Sequence, residues 1–417
     1  MAEKKKWQTP RGTRDFLPAE QEARSRIFEK MRGIFRLYGY GEVCTPAFED
    51  FDLLAAKSGP EIENEIYAFD DKSGRKLGLR FDPTVPIARI VASDQSLAKP
   101  VKFYYITNMW RYDRPQAGRY REFWQAGLEL IGAEGAQADA EILAVASDLL
   151  RSATDKDFVF KINSRKVAES LAMKAGISKD KIPAAFRSID KLSKIGADSV
   201  IDEMKSAGID EKSAEKFVKS TEKTTTDAAP KEYEELQDII EMAEKMGVSN
   251  IEIDFSTVRG IDYYTGFVFE TFIKGSEKIG SVCSGGRYDN LIGIYGPNKI
   301  PATGFGLGID RLMDIVGYPE DYQAVKAFVA PAKDELLLRG EAVKIAGLLR
   351  AEGVSADTDL TGRPLRKQFD YVNSKNIPYI IIVGERELKG GKFTLRDMKT
   401  GKEDKLAMKD IVKKISQ

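Results

Sequence analysis

Three arginine-centred segments carry the residue types with which this chain could do chemistry. The first is Arg111-Tyr-Asp-Arg-Pro-Gln116-Ala-Gly-Arg119-Tyr-Arg121-Glu-Phe123-Trp-Gln125-Ala-Gly-Leu-Glu129. Read as two strands joined by a Pro/Gly loop, it brings Arg111, Arg119 and Arg121 to one end of a sheet. Phe123 and Gln125 then share a face by the period of two. Guanidinium forks grip phosphates in two places and an aromatic ring stacks on a base, so these residue types point to a nucleotide. A solvated hairpin is also arginine-rich, but it seldom sets Phe, Trp and Gln behind the arginines.

The second segment is Gly304-Phe-Gly306-Leu-Gly308-Ile-Asp310-Arg311. Its glycine spacing is not that of a dinucleotide fingerprint, and no ribose-binding acid follows at the right distance. Alternate glycines in a strand leave one face bare, so a flat ring could lie against the backbone, with Arg311 opening a helix beside it. A bulged core strand is the plainer alternative. The third segment pairs Arg259-Gly-Ile-Asp-Tyr263-Tyr264-Thr-Gly266 with Ser284-Gly-Gly-Arg287-Tyr288-Asp-Asn290. Paired tyrosines could merely pack a core. An arginine, an acid and two phenols within eight residues fit a polar pocket better.

Composition limits the chemistry further. Among 417 residues there is no histidine, which removes Ser-His-Asp and Cys-His nucleophile systems, histidine zinc ligands and a histidine general base. Carboxylates, arginines, hydroxyls and an oxygen-held metal ion remain, so reactions that need no protein base are favoured. Two cysteines, Cys44 and Cys283, exclude a disulfide framework and a cysteine-rich zinc site. Charged residues make up 31% and apolar residues 42%, as in a folded globular protein. The start, Met1-Ala-Glu-Lys-Lys-Lys-Trp7, lacks a signal-peptide core. Apolar runs such as Tyr379–Val383 are far too short to span a membrane. The expectation is a cytoplasmic protein with no membrane partner.

The elements that must position these residues follow from periodicity. Pro18 and the spacing of Ile27, Met31, Ile34 and Tyr38 predict a helix, stopped by Gly39 and Gly41. A strand is expected over Glu42–Phe48, with Pro46 marking an edge or a break. Strands follow at Val101–Ile106, Glu122–Ala126 and Phe158–Ile162, with a helix over Ala138–Arg151. From about Lys166 to Lys245 short helices alternate with glycine breaks, which reads as a helical insertion before strands return at Ile251–Phe255 and Gly266–Phe272. Beyond a boundary near Tyr318–Tyr322 the order becomes strand–helix–strand–helix–strand, over Val325–Ala330, Leu336–Leu349, Val354–Ala356, Arg366–Ser374 and Tyr379–Val383. That is a small α/β domain with a mostly parallel sheet. Lys+Arg and Asp+Glu are both 65 overall, but residues 325–417 hold 19 of the former and 13 of the latter, a net of +6 that residues 1–324 balance. A modestly basic module suits a polyanion, although solvated surface lysines would give the same count.

Taken together, these segments resemble the class II aminoacyl-tRNA synthetases, and among them the histidyl-tRNA synthetase family. The hairpin is similar to that class's motif 2, Gly304–Leu312 to motif 3, and the first helix with the Pro46 strand to motif 1. The segments from Arg259 and from Ser284 resemble the two histidine-specific signatures. Thr9-Pro-Arg-Gly-Thr-Arg-Asp-Phe-Leu-Pro18 and Leu79-Arg-Phe-Asp82-Pro-Thr84-Val-Pro86 are further family-type stretches. The resemblance covers essentially the whole chain. It implies an α+β protein with an antiparallel-sheet catalytic domain in two parts, residues 1–165 and 248–320, a helical insertion at 166–247 and a C-terminal α/β anticodon-binding domain at 325–417.

The resemblance also implies histidine activation with ATP and Mg²⁺ as co-substrate, transfer to tRNA(His), and a homodimer built through motif 1, with no zinc or prosthetic group. Arg259 and Arg111 are then the catalytic residues. Arg111, Arg119, Arg121 and Arg311 bind ATP, Phe123 stacks on adenine, and Gln116 approaches the tRNA acceptor end. Asp82, Thr84 and Gln125 receive the histidine ammonium, and Glu129 and Tyr264 meet its ring. Tyr263 and Tyr288 line the pocket, and Arg111 and Arg259 flank the carboxylate. Protein ligands for a metal are not assigned. Asp82 stands where many relatives carry Glu, and the Asp82-Pro-Thr84 form leans towards the archaeal–eukaryotic branch. Two alternatives are a paralogue that kept the fold as a regulatory subunit and a class II synthetase for another amino acid. The intact arginine set argues against the first, and the Arg259–Gly266 segment against the second.

Overall fold

The computed structural model describes residues 7–56, 60–94, 96–221, 232–259, 263–318 and 323–416. The chain forms two compact units, Met1–Tyr318 and Pro319–Gln417.

The strands of the first unit are β1 (Gly41–Glu42), β2 (Phe48–Asp50), β3 (Ala68–Asp70), β4 (Lys76–Leu79), β5 (Val101–Trp110), β6 (Glu122–Ile131), β7 (Phe158–Ser164), β8 (Ile251–Ile253), β9 (Phe267–Ile273), β10 (Cys283–Arg287) and β11 (Ala302–Gly308). Eight of them make one sheet in the order β1-β5-β6-β11-β10-β9-β7-β8. It is antiparallel throughout its centre and parallel only at the two edge pairs, β1 with β5 and β7 with β8. β2, β4 and β3 form a separate antiparallel sheet.

Period-two alternation divides the large sheet into two unlike faces. On one, Ile106, Ala126, Leu128, Phe269, Phe305 and Leu307 are buried beneath the helices Pro18–Leu37 and Ala136–Ala153. The first helix begins with Pro18, and the Glu20 carboxylate accepts from the Leu17 N–H at 3.1 Å. Its buried stripe runs Arg24, Phe28, Met31, Phe35. Ile27, Ile34 and Tyr38, expected to share the core with Met31, flank that stripe and are partly buried. Phe35 stacks on Tyr104 with centroids 4.6 Å apart. These contacts make the sheet a rigid floor for whatever its other face carries.

The strand expected over Glu42–Phe48 is broken. Only Gly41–Glu42 and Phe48–Asp50 pair, in different sheets. Pro46 has no N–H to offer, and the carbonyls of Thr45 and Pro46 accept instead from the buried Arg80 guanidinium.

Between β7 and β8 the described residues hold helices Arg165–Ala175, Ile182–Ile189, Leu192–Ser206, Glu211–Thr221 and Glu232–Lys245, and no strand. The first four enclose a core of their own with Phe186, Ile189, Val200, Met204 and Phe217. Leu236, Ile239 and Ala243 of the fifth join the main core beneath the large sheet.

In the second unit, β12 (Ala327–Pro331), β13 (Ala356–Thr358) and β14 (Tyr379–Val383) are parallel in the order β13-β12-β14. An antiparallel pair, β15 (Phe393–Asp397) and β16 (Glu403–Leu406), extends that sheet beyond β14. Helices Leu336–Ala351, Leu365–Ser374 and Met408–Ser416 cover it. No helix among the described residues is long and apolar enough to cross a membrane.

Candidate active site

The second face of the large sheet is where the chemistry-bearing residues meet. In register across it, Tyr105 lies opposite Gly127, Gly127 opposite Gly306, and Gly306 opposite Ser284. One step along, Phe103, Glu129, Gly304 and Gly286 form a second such row. The glycines leave space, as their spacing predicts, but the backbone is not left bare for a flat ring. A Cβ on Gly304 would overlap Glu129 Oε2, one on Gly306 would overlap Gln125 Nε2, and one on Gly127 would overlap the Tyr105 hydroxyl. Two polar side chains from β6 therefore lie down across the glycines of β11. Small residues on one strand let long ones on its neighbour reach a common centre.

At that centre Glu129 is fully buried. Thr84 Oγ1 donates to its Oε1 at 2.6 Å and the Tyr288 hydroxyl donates to its Oε2. Burial, helped by the neighbouring Asp82 charge, pushes the Glu129 carboxyl up to about 8 against the pull of those two donors. Asp82, also buried, accepts from the Val85 N–H at 3.2 Å through Oδ1, while its Oδ2 has no donor. Burial raises its carboxyl as well. Gln125 Oε1 is a second buried acceptor without a donor. The phenols close the space, with Tyr263 and Tyr264 4.8 Å and Tyr263 and Tyr288 5.7 Å apart between ring centroids.

Two arginines bound the same cavity. Arg111, just past the end of β5, donates Nε to the Phe81 carbonyl at 3.2 Å, and its guanidinium carbon stands 5.4 Å from the Phe123 ring centroid. Arg259 pairs through Nη1 with Glu270 at 2.8 Å, while its Nε is buried without an acceptor. Asp82, Thr84, Arg111, Gln125, Glu129, Arg259, Tyr263, Tyr264 and Tyr288 thus line one cavity, joined by Tyr105, Ser284 and Phe305.

The remaining expected residues do not line this cavity. Arg311 opens the helix Ile309–Val316 and donates Nε to the Gly118 carbonyl at 2.9 Å and Nη1 to the Ser281 carbonyl. Burial, then the positive charges of Arg119, Arg111 and Arg259, lower its guanidinium to about 10. Arg119 is paired with Asp113 at 2.9 Å. Arg121 lies 4.1 Å over the Tyr112 ring and donates Nε to the Asp113 carbonyl at 3.1 Å. Gln116, at the hairpin tip, exchanges backbone hydrogen bonds with Arg119 at 3.1 and 2.8 Å.

The sequence reading overlooked three groups. Glu270, the counter-ion of Arg259, lies within an alternating strand and could have been found by asking which charge falls among its apolar residues. Asp314 accepts from the Gly118 N–H at 3.2 Å and the Tyr120 hydroxyl at 2.8 Å, so it fastens the hairpin loop. Tyr105 had no local signal beyond its strand. Arg287, quoted with the Ser284 segment, points to the opposite face and grips Asp139 with two bonds of 2.9 and 3.0 Å. No group of three or more Cys, Asp or Glu able to hold a metal ion occurs among the described residues.

Comparison with known proteins finds relatives of both units. Residues 12–312 match the histidyl-tRNA synthetase family, and residues 326–417 match the anticodon binding domain family. The histidine–tRNA ligase of Thermococcus kodakarensis is 38% identical over 425 residues, covering 97% of both chains. That of Pyrococcus abyssi is 40% identical over 427 residues, covering 98% of both. Among solved structures, histidyl-tRNA synthetase from Nostoc sp. PCC 7120 superposes with a TM-score of 0.82 at 26% identity over 99% of each chain. The S. aureus enzyme in its apo form gives 0.72 at 25% identity, over 98% of this chain and all of that one. With both units matched in order and the arginine cluster in place, the chain belongs to the histidyl-tRNA synthetase family.

Proposed function

We propose that the cavity on the glycine face binds L-histidine and that the arginines around it perform the family's reaction with ATP. A carboxylate oxygen of histidine attacks the α-phosphorus of ATP, the bond to the β-phosphate breaks, and pyrophosphate leaves. The carboxylate is ionised at neutral pH, so no general base is required, in keeping with a chain that has no histidine. What the protein must supply is alignment and positive charge where negative charge develops. Arg111 and Arg259 meet the α-phosphate and the histidine carboxylate from two sides. Arg119, Arg121 and Arg311 take the outer phosphates, with Mg²⁺ arriving as part of the nucleotide. Phe123 stacks on adenine.

The single observation that carries this reading is the coincidence of buried, unpartnered acceptors with the arginine cluster. Asp82 Oδ2 and Gln125 Oε1 have no donor, and an α-ammonium would supply one to each. Thr84 completes that corner. Glu129 accepts from the ring N–H of the substrate, Tyr264 meets the other ring nitrogen, and Tyr263 and Tyr288 wall the ring. A site with fixed polar partners rejects side chains that leave those partners unpaired.

In the second step a hydroxyl of the 3′-terminal ribose of tRNA(His) attacks the histidyl carbonyl and AMP leaves. The proton passes to a phosphate oxygen of the adenylate. Gln116 at the hairpin tip faces the acceptor end, and the basic C-terminal unit reads single-stranded anticodon bases on their edges. A homodimer formed through the first helix and the Pro46 segment, working in the cytoplasm, completes the reading. ATP–pyrophosphate exchange with each of the twenty amino acids tests it. Exchange with histidine alone is expected. Exchange with none, or with a different amino acid, would refute the assignment of the pocket.

A further inference from the structure

Arg259 has a backbone φ of +61°, one of two positive values at described residues other than glycine. A long side chain does not hold that left-handed conformation unless its surroundings impose it. The surroundings here are two side chains at the junction between β7 and the helix Arg165–Ala175. Asn163, fully buried, donates its amide to the carbonyls of Phe255 and Thr257, both at 3.0 Å. Arg165 Nη1 reaches the carbonyls of Val258 and Arg259 at 3.5 and 3.4 Å. The Arg165 backbone N–H donates to the Gly266 carbonyl at 2.9 Å. Asn163 and Arg165 thus hold four carbonyls ahead of and at Arg259, and Arg165 also holds the far end of the Arg259–Gly266 segment.

The same junction ties this segment to the helical insertion. The Arg165 guanidinium carbon lies 5.0 Å from the ring centroid of Phe186, in the helix Ile182–Ile189. Val258, next to Arg259, is completely buried among Phe186, Ile189, Val200 and Phe217. The core of the insertion therefore includes the residue that precedes Arg259 in the chain.

We propose that Asn163 and Arg165 are positioning residues for Arg259, and that the helices over residues 165–221 serve as the seat on which this arginine is aimed into the cavity. Neither residue lines that cavity. The proposal rests on the reading that Arg259 acts at the α-phosphate. A guanidinium displaced by an ångström would lose alignment with the developing charge while the histidine and ATP contacts made by other residues persist. The effect should therefore fall on turnover and not on substrate affinity.

The test is ATP–pyrophosphate exchange on the full chain for Arg165→Ala, Arg165→Lys, Arg259→Ala and the Arg165→Ala/Arg259→Ala pair. Arg165→Ala is expected to lower kcat by about ten- to a hundred-fold with KM for histidine and ATP within about three-fold. The paired variant is expected to be no slower than Arg259→Ala alone, because both changes remove one contribution. Arg165→Lys keeps a charged stem but not a fork, so an intermediate kcat is expected. It also carries the test if Arg165→Ala fails to fold. A wild-type kcat in either Arg165 variant, a loss expressed in KM, or an additive loss in the pair would overturn the proposal. Wild-type exchange in Arg259→Ala would instead overturn the underlying role of Arg259.

Discussion

Gly304 lies directly opposite Glu129 across β11 and β6, and a Cβ on the glycine would overlap Oε2 of the carboxylate. The missing side chain is what allows Glu129 to reach Thr84 and Tyr288. Gly304→Ala should therefore displace the carboxylate and raise KM for histidine by about ten-fold or more, since a polar pocket loses heavily when a partner is left unpaired. KM for ATP should stay within about two-fold. Exchange kinetics with each substrate varied in turn will show the split, and an equal rise in both values would argue against this division of the site.

Burial pushes the Glu129 carboxyl up to about 8 in the folded protein, against an ordinary value of 4.5. Between those values the folded state holds the proton more firmly than the unfolded chain. The stability contributed by the neutral form is thus present in acid and is lost as pH rises through about 8. Glu129→Gln removes this dependence. Its melting midpoint minus that of the wild type should grow by about five degrees between about pH 5 and pH 8, then level off. A difference that is flat with pH would show that burial does not shift this group.

Arg287 and Asp139 join β10 to the helix Ala136–Ala153 by two bonds of 2.9 and 3.0 Å in a buried setting. Asp139→Ala leaves a guanidinium without its main partner and should cost about 3–5 kcal/mol in denaturant unfolding. Adding Arg287→Met should recover part of that loss. A cost of under about 1 kcal/mol would mean that Asp289 and the carbonyls of Ala133 and Gly135 are sufficient for Arg287.

Asp314 and Arg311 hold the two peptide groups that flank Gly118 in the hairpin loop, Asp314 accepting from its N–H and Arg311 donating to its carbonyl. Asp314→Ala should loosen the loop that carries Arg119, raising KM for ATP by about ten-fold with KM for histidine nearly unchanged. An unchanged KM for ATP would remove the loop from nucleotide binding.

Much of the arrangement was legible because local patterns encode it. The arginine hairpin, the helical stretch after β7 and the three parallel strands of the second unit each follow from period and turn chemistry. The expected Glu42–Phe48 strand failed at Pro46, where a distant buried arginine, Arg80, claims the carbonyls that a strand would use. The alternating glycines were read correctly as space, but what fills that space depends on the register of a neighbouring strand. The β15–β16 hairpin turns at Gly401, with φ +73°, in the run Asp397-Met-Lys-Thr-Gly401. Its charged strands concealed it from an apolar pattern. Asn163 acts through partners more than ninety residues away in sequence, so no local spacing marks it.

The most direct test is rapid-quench measurement of histidyl-adenylate formation in a single turnover, at saturating histidine and Mg·ATP, for the wild type and Arg259→Ala. The account predicts a rate lowered by at least about a hundred-fold, a loss far larger than any change in substrate affinity, the signature of charge stabilised more strongly in the transition state than in the bound substrates. Adenylate formed at the wild-type rate would contradict it.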